Sequence, residues 1–494
     1  MTFKKSLALL LALLMAGSML AACGNATGGE TTTAPEAGNS DAVVSETEAS
    51  TVDKNGFLLD DLQKSYNFGT ELNILYDTDT DNGDFAEEVN GNAENDAIYA
   101  RNLSVEERLG VTLRFTGTPG GDGNQAAYMA KVQNDVNSGD STYDIYAAYS
   151  RTVPLLAYNG LCRNLAESDY INLEKPWWPE ALTFECMVNN KLFFVSGDIA
   201  TSMLWYMCCM FVNRDMWNDL HIAEDIYDLV LNNQWTLDKM IECAKLAYAD
   251  DGDGTVNNSD TFGLVCYNTC FDAFLNYSGI ITIAKDGDGM LKLSDDFTGE
   301  KAATIVSKLG SYCKDASFLH SGTASVARNA YLEGRSLFII DGTFIAGRSE
   351  KNAAFEYAII PGPKYNTDQE NYWTNMRYPF TFYAVSSTTS KVDAAECLIE
   401  AEGSENYRSV TPIIFELTMK SKYSSSEVSS KMYDIIRDGV VFDFGRIYGY
   451  SLNNYYPDFR NICFSGGTGW TTKVKSINKL LGSQLDAVYK SFED

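Results

Sequence analysis

A strand–helix–strand succession near residue 70 constrains the fold more than any other feature of the chain. Glu71-Leu-Asn-Ile-Leu-Tyr76 has the apolar character of a strand, and an acidic loop with Asp77, Asp79, Asp81 and Asp84 follows it. The next segment, Asn95–Leu109, predicts a helix in which Ile98, Leu103, Val105 and Leu109 supply much of an apolar stripe. Gly110 closes that helix and Val111–Phe115 is the next strand. Two strands joined through a helix of this length pair in parallel. The pattern then repeats, with a helix over Gln125–Ser138, a strand over Tyr143–Ala148 and a further helix beginning at Thr152. The fold class is therefore α/β.

From about Phe57 to Asp494 the chain exceeds what one core usually serves, so two large domains are expected. A formal net charge of −29 excludes nucleic acid and anionic lipid surfaces as partners. Aromatic residues make up 12 % of the chain, a surplus that suits a cleft for flat, hydroxyl-bearing ligands as well as a core. Beyond Cys23, ten cysteines are scattered through apolar stretches, without the spacing of a disulfide framework or a zinc site. No Gly-x-Ser-x-Gly, His-Glu-x-x-His or Walker loop is present, and two histidines leave little general-base capacity. The chain is expected not to be an enzyme and to need no cofactor.

The N-terminus carries an address. Lys4 and Lys5 precede an apolar run from Leu7 to Met15 that is too short to span a bilayer. Leu20-Ala-Ala-Cys23 resembles the lipobox of bacterial lipoproteins. That resemblance implies a signal peptide over 1–22 and a diacylated Cys23 that anchors the protein to the outer face of the cell membrane without a span. Residues 23–56 are expected to form a flexible acidic tether, because Asn25–Asp53 contains no Lys or Arg and little apolar surface.

Further motifs follow in a fixed order: Tyr143-Asp-Ile145, Asn159-Gly-Leu161, Lys175-Pro-Trp-Trp178, Asn190-Lys-Leu-Phe-Phe-Val-Ser-Gly-Asp198, Phe211-Val-Asn-Arg214, Gln234-Trp-Thr-Leu-Asp-Lys239, Phe338-Ile-Ile-Asp-Gly342 and Tyr357-Ala-Ile-Ile-Pro-Gly-Pro-Lys364. In this succession the chain resembles the extracellular solute-binding proteins of ABC importers, family 1, and its lipoprotein members typical of Gram-positive bacteria. The resemblance implies a two-lobed periplasmic-binding-protein-like fold with several crossovers. Lobe 1 is expected over 57–200 plus 380–443, and lobe 2 over 201–379 plus 444–494. It also implies a monomer that captures a carbohydrate, or an oligosaccharide, and passes it to permease subunits. A surface glycoside hydrolase or lyase, or a binding protein for a non-sugar solute, are the alternatives.

Candidate ligand-binding residues lie where such lobes meet. They are Asp79 in the first loop, Tyr149 and Arg151 at a strand end, and Asp198, Trp205 and Tyr206 at the first crossing. Asp341, Trp373 and Arg377 approach the return crossing, and Trp470 stands in the Gly466-Gly-Thr-Gly-Trp turn. Aromatic faces there would stack on a pyranose while the polar groups bond its hydroxyls. Asp250–Asp260 also resembles a calcium loop of the EF-hand type, with Asp251, Asp253, the Thr255 carbonyl, Asn257 and Asp260 at ligand positions. Ala249 occupies the first position, although Asp250 could swing in, and such an ion would be structural.

Overall fold

The computed structural model describes residues 51–80, 83–348, 353–424 and 426–493. The signal segment, Cys23, most of the tether and Asp81 lie outside the described residues. The end of the tether is folded where a flexible segment was expected. Val52 bridges Leu58, and Asp53 Oδ1 accepts the amides of Asn55 at 2.8 Å and Phe57 at 2.9 Å.

The strands are β1 (Thr70–Asp77), β2 (Val111–Thr118), β3 (Ile145–Tyr149), β4 (Cys208–Asn213), β5 (Phe262–Tyr267), β6 (Ile283–Lys285), β7 (Leu291–Leu293), β8 (Phe318–Ser321), β9 (Ser336–Gly342), β10 (Tyr357–Ile360), β11 (Thr374–Asn375), β12 (Thr381–Val385) and β13 (Val440–Val441). One sheet has the order β12-β3-β1-β2 and a second the order β10-β4-β9-β5-β8. In the first, β1 is parallel to β2 and β3, as the strand–helix–strand pattern requires, and β12 runs antiparallel to β3. In the second, β5 is parallel to β8 and β9, while β4 runs antiparallel to β9 and β10. The inner strands β3, β4 and β9 and the edge strand β12 are buried on both faces, consistent with their largely apolar runs.

The opening helix spans Ala93–Leu109, with the Asn92 side chain accepting the Glu94 amide at 2.9 Å and Gly110 in the left-handed region at φ 64°. Ile98, Val105 and Leu109 are buried, but Leu103 is exposed, contrary to the expected stripe. Two polar residues take the inner face instead. Arg101 Nη2 donates to the Asp84 carbonyl at 3.0 Å while its Nη1 stands 3.7 Å from Glu402, and Asn102 Nδ2 donates to the Ala86 carbonyl at 2.9 Å. The helix thereby clamps the end of the first loop, a polar function that hydrophobic periodicity does not reveal.

Three segments pass between the sheets. After Ser196-Gly-Asp198 the chain runs through a short helix, Ser202–Trp205, into β4. It returns from β11 to β12, with Met376 bridged to Met207 and the Arg377 amide donating to the Tyr206 carbonyl at 2.9 Å. It passes again at β13, which pairs in parallel with β11. Gly197, at φ 148°, is required at the first passage, because a Cβ there would lie 2.1 Å from the Trp177 carbonyl oxygen. Trp177 and Trp178 pack in the core beneath Gly403, and Trp178 Nε1 donates to Glu400 at 2.9 Å.

Beyond β12 the helix Val392–Glu405 continues as wide π-type turns over Asn406–Val410 and Ile413–Lys422. Asn406 Nδ2 donates to the Asp198 carbonyl at 2.8 Å, and Thr411 Oγ1 donates to the Asp198 carboxylate at 2.5 Å. The next helix, Glu427–Asp438, packs against both this π-type segment and β10 of the second sheet. The small hairpin is β6–β7, pairing Ile283 with Leu293. Just before it, Ile280 is buried and the Thr282 amide donates to the Asp443 carboxylate.

Gly197→Ala is expected to lower the unfolding free energy by roughly 1–3 kcal/mol, from forced backbone strain. Gly482→Ala, in the open middle of the helix Trp470–Lys490, is expected to raise it by about 0.5–1 kcal/mol. Urea denaturation of both variants measures the two opposite signs.

Candidate functional site

The carboxyl ends of the parallel strands of both sheets open onto one cavity of about 550 Å³. The first sheet contributes Asp79 and Thr80 after β1, Gly121 and Asp122 after β2, and Tyr149 and Arg151 at the end of β3. The second contributes Tyr267, Asn268 and Thr269 at the end of β5. Arg377, Tyr378 and Pro379 come from the return passage, and Tyr450, Asn454, Pro457 and Arg460 from the segment after β13. A cavity in this position is where open α/β sheets hold small ligands.

Arg377 forms part of the floor. Its Nη1 donates to Asp341 at 2.5 Å, its Nη2 donates to the Tyr267 hydroxyl, and its guanidinium lies 5.1 Å from the Phe344 ring centroid. Arg328 holds the same Asp341 carboxylate at 2.7 Å from the other side. Burial pushes the Asp341 carboxyl up, opposed by Arg328, and desolvation pulls Arg377 down. A buried carboxylate flanked by two guanidiniums in this geometry persists as a structural unit.

Arg151 sits between two tyrosines, its guanidinium carbon 3.8 Å from the Tyr450 ring centroid and 4.7 Å from that of Tyr378. Its Nη2 donates to Asn454 Oδ1 at 2.5 Å. Tyr450 in turn donates its hydroxyl to Asp122 at 2.7 Å and accepts from Gln125 Nε2. The opposite wall is built by Arg460, which binds the fully buried Asp272 at 2.5 Å. Burial pushes the Asp272 carboxyl up to about 6, against the pull of Arg460 and Arg446.

Asp79 lines the cavity, yet its Oδ2 accepts from the amides of Gly120 and Gly121 and from Asn124 Nδ2, all within 3.0 Å. Those donors hold its carboxyl below the usual range. Asp77 lies buried behind it, bonded to the Asp79 and Gly120 amides and to the Thr80 hydroxyl, and burial pushes its carboxyl up. The two acids hold the loop together rather than face each other across the cavity.

Of the ten expected ligand residues, Asp79, Tyr149, Arg151 and Arg377 line the cavity. Asp341 stands behind Arg377, and Tyr206 packs beside it with its ring centroid 5.3 Å from that of Phe344. Four residues are placed elsewhere. Asp198 is buried under the π-type segment, bonded to Thr411 and 3.5 Å from Arg437. Trp205 is half-buried and donates from Nε1 to Glu94 at 2.8 Å, at the start of the opening helix. Trp373 is half-buried outside the cavity lining. Trp470 is a core residue, with ring centroids 5.1 Å from Phe297 and 6.2 Å from Phe459. Residues that sequence reasoning missed include Tyr267, Tyr378, Tyr450, Asn454 and Arg460. A usable signal existed for two of them, since Tyr450-Ser-Leu-Asn-Asn454 is a Tyr/Asn-rich turn, and Asn453 and Asn454 both adopt positive φ.

The Asp250–Asp260 loop lies apart from the cavity, between the helix Leu237–Leu246 and β5. Its converging carboxylates are those of Asp250, Asp251 and Asp253, all exposed and with oxygens within 4.8 Å of one another. Asp260 differs from the expected ligand geometry. It is fully buried and accepts from the amides of Asp251 and Asn257 and from the Tyr248 hydroxyl. The Asn257 amide group bonds Asp253 and the Thr255 carbonyl, both at 2.9 Å.

Trp470→Ala is expected to cost about 3–5 kcal/mol of unfolding free energy, the loss for a buried tryptophan, while leaving the cavity intact. Urea denaturation of the ligand-free protein checks this. A change of less than about 1 kcal/mol would remove Trp470 from the core.

The family model described as bacterial extracellular solute-binding protein matches residues 110–405 of this chain. No curated protein sequence matches it. Among solved structures, the maltose/maltodextrin-binding domain from Bdellovibrio bacteriovorus, bound to maltotriose, is 13 % identical with a TM-score of 0.53, over 84 % of this chain and 100 % of that one. The cyclic α-maltosyl-1,6-maltose binding protein from Arthrobacter globiformis is 13 % identical with a TM-score of 0.55, over 84 % and 98 %. An ABC substrate-binding protein from Listeria monocytogenes, in complex with cycloalternan, is 12 % identical with a TM-score of 0.51, over 86 % and 99 %. Identities this low are a likeness of fold, and the shared fold is the two-lobed α/β architecture. With its two sheets opening onto one cavity and more than half its length matched by the family model, the chain belongs to the bacterial extracellular solute-binding proteins.

Proposed function

We propose that the protein is the extracellular capture component of an ABC importer and that it holds a carbohydrate, or an oligosaccharide, between its two lobes without altering it. The cavity carries this reading. Four tyrosines, Tyr149, Tyr267, Tyr378 and Tyr450, border it together with Asn268, Asn454, Arg151 and Arg377, the mixture of ring faces and fixed donors that suits a sugar. The three structural neighbours described above are in complex with maltotriose, in complex with cycloalternan, and named for binding cyclic α-maltosyl-1,6-maltose. Absence of chemistry is supported by Asp77 and Asp79, whose carboxylates are committed to loop amides instead of facing each other as an acid and its partner. We further propose that Cys23 anchors the chain to the outer face of the membrane, that the tether lets one monomer reach its permease, and that lobes of 57–200 plus 380–443 and 201–379 plus 444–494 close on the ligand.

Screened against a glycan panel, the purified protein is expected to show a thermal shift. A ligand at about 100 times its Kd adds roughly 2.7 kcal/mol of stability. After hours of incubation that glycan should be recovered unchanged. Cleavage of more glycan than protein, lost in Asp79→Asn, would replace capture by hydrolysis.

Cys23→Ser is expected to move the protein from the membrane fraction to the medium, or to block removal of its signal. A correctly processed variant that stays in the membrane fraction would show that another segment holds it.

A further inference from the structure

Arg151 is 6 % exposed and carries a guanidinium cation. Among the described residues, no carboxylate lies within 4.0 Å of it. Its one hydrogen-bonded partner is the neutral Asn454 carbonyl, and its Nε is buried with no partner at all. The rings of Tyr378 and Tyr450 offset part of the desolvation, but a ring face does not supply a counter-charge.

The surroundings sharpen the imbalance. Tyr378 lies between two guanidiniums, since that of Arg446 is 4.1 Å from the same ring centroid. Arg446 and Arg460 share a single carboxylate, Asp272, at 3.9 and 2.5 Å. Asp443, the next acid, is taken up by the Thr282 amide and hydroxyl and by the Gly445 amide. Asp122 is held by the Tyr450 hydroxyl and by Gln125. Arg446 and Arg460 thus share Asp272 and Arg377 is paired with Asp341, whereas Arg151 has no carboxylate within ion-pair distance among the described residues. A buried charge left uncompensated is costly, and a planar fork stacked on aromatic rings is the geometry that receives an oxyanion.

We infer that the cavity is built for an acidic saccharide, and that Arg151 binds its oxyanion, either the carboxylate of a uronic acid or the ester anion of a sulfated or phosphorylated sugar. This inference rests on the carbohydrate reading and narrows it. The anion supplies the counter-charge that the protein withholds, and Arg377 and Arg460, each already paired, line the same space and fix the orientation of the neighbouring hydroxyls.

Calorimetric titration of the full chain tests this, with matched trisaccharides on glucose, xylose and galactose backbones. Each set comprises a neutral member, one ending in a uronic acid and one bearing a single sulfate or phosphate. One charged member is expected to bind about 10- to 100-fold more tightly than its neutral counterpart, the usual worth of a charged hydrogen bond. Whether the uronic acid or the ester wins identifies the source of the anion. Arg151→Gln should abolish the preference, so that the charged and neutral members of a set bind the variant alike, and Arg151→Lys should retain only part of it. The ligand-free melting temperature establishes that each variant folds. If Arg151→Gln does not fold, Arg151→Lys carries the test. Neutral and charged members binding alike, or a preference intact in the variants, overturns the inference and leaves the carbohydrate reading standing. Arg151-dependent binding of citrate or inorganic phosphate with no binding of any trisaccharide sustains the anion site and overturns the carbohydrate reading. No binding of any of these probes overturns both.

Discussion

The buried pair of Arg377 with Asp341 is the constraint on which the site depends. Arg377 comes from the passage that returns to the first sheet, while Asp341 ends β9 of the second. Their contact, with Arg328 behind and the Tyr267 hydroxyl in front, fixes where that passage runs. The Arg377 amide also bonds the Tyr206 carbonyl, so the outgoing and returning segments are tied side by side. Removing one partner of such a buried pair typically costs several kcal/mol, because the remaining charge is stranded. The cavity floor is thus assembled by electrostatics at the seam rather than by apolar packing, which dominates within each sheet.

Much of the architecture was legible in the sequence because its physics is local. The helix Gln125–Ser138 follows from periodicity, and the structure has it with those bounds. Periodicity misled at Leu103, because the inner face of the opening helix is occupied by Arg101 and Asn102, whose partners Asp84, Ala86 and Asn406 are far away in sequence.

The site was less legible for the same reason. Arg151 meets Asn454 across 303 residues, and Gln125 meets Tyr450 across 325. No spacing rule joins such partners. Sequence reasoning could identify strand ends, which gave Tyr149 and Arg151, but not the segment that closes the cavity from the chain's far end. Trp470 shows the converse error. An aromatic next to a glycine-rich turn suggests a platform, whereas its ring completes a cluster with Phe297 and Phe459. In the Asp250–Asp260 loop the carboxylate of Asp260 accepts the loop's own amides, a pairing that ligand spacing alone does not show.

All ten cysteines of the described residues are free, and nine of them are buried. Burial pushes the thiols of Cys162, Cys186, Cys266 and Cys463 well above their ordinary range, so the thiolate that oxidants and alkylating agents attack is scarce while the chain is folded. An exported chain with this many thiols is chemically vulnerable during the interval before its sheets close. The fold acts as a shield that needs no reductant, and the same property makes alkylation a clock. The rate at which these sulfurs are modified reports how often each lobe opens, with residues in either sheet region timed separately in one sample.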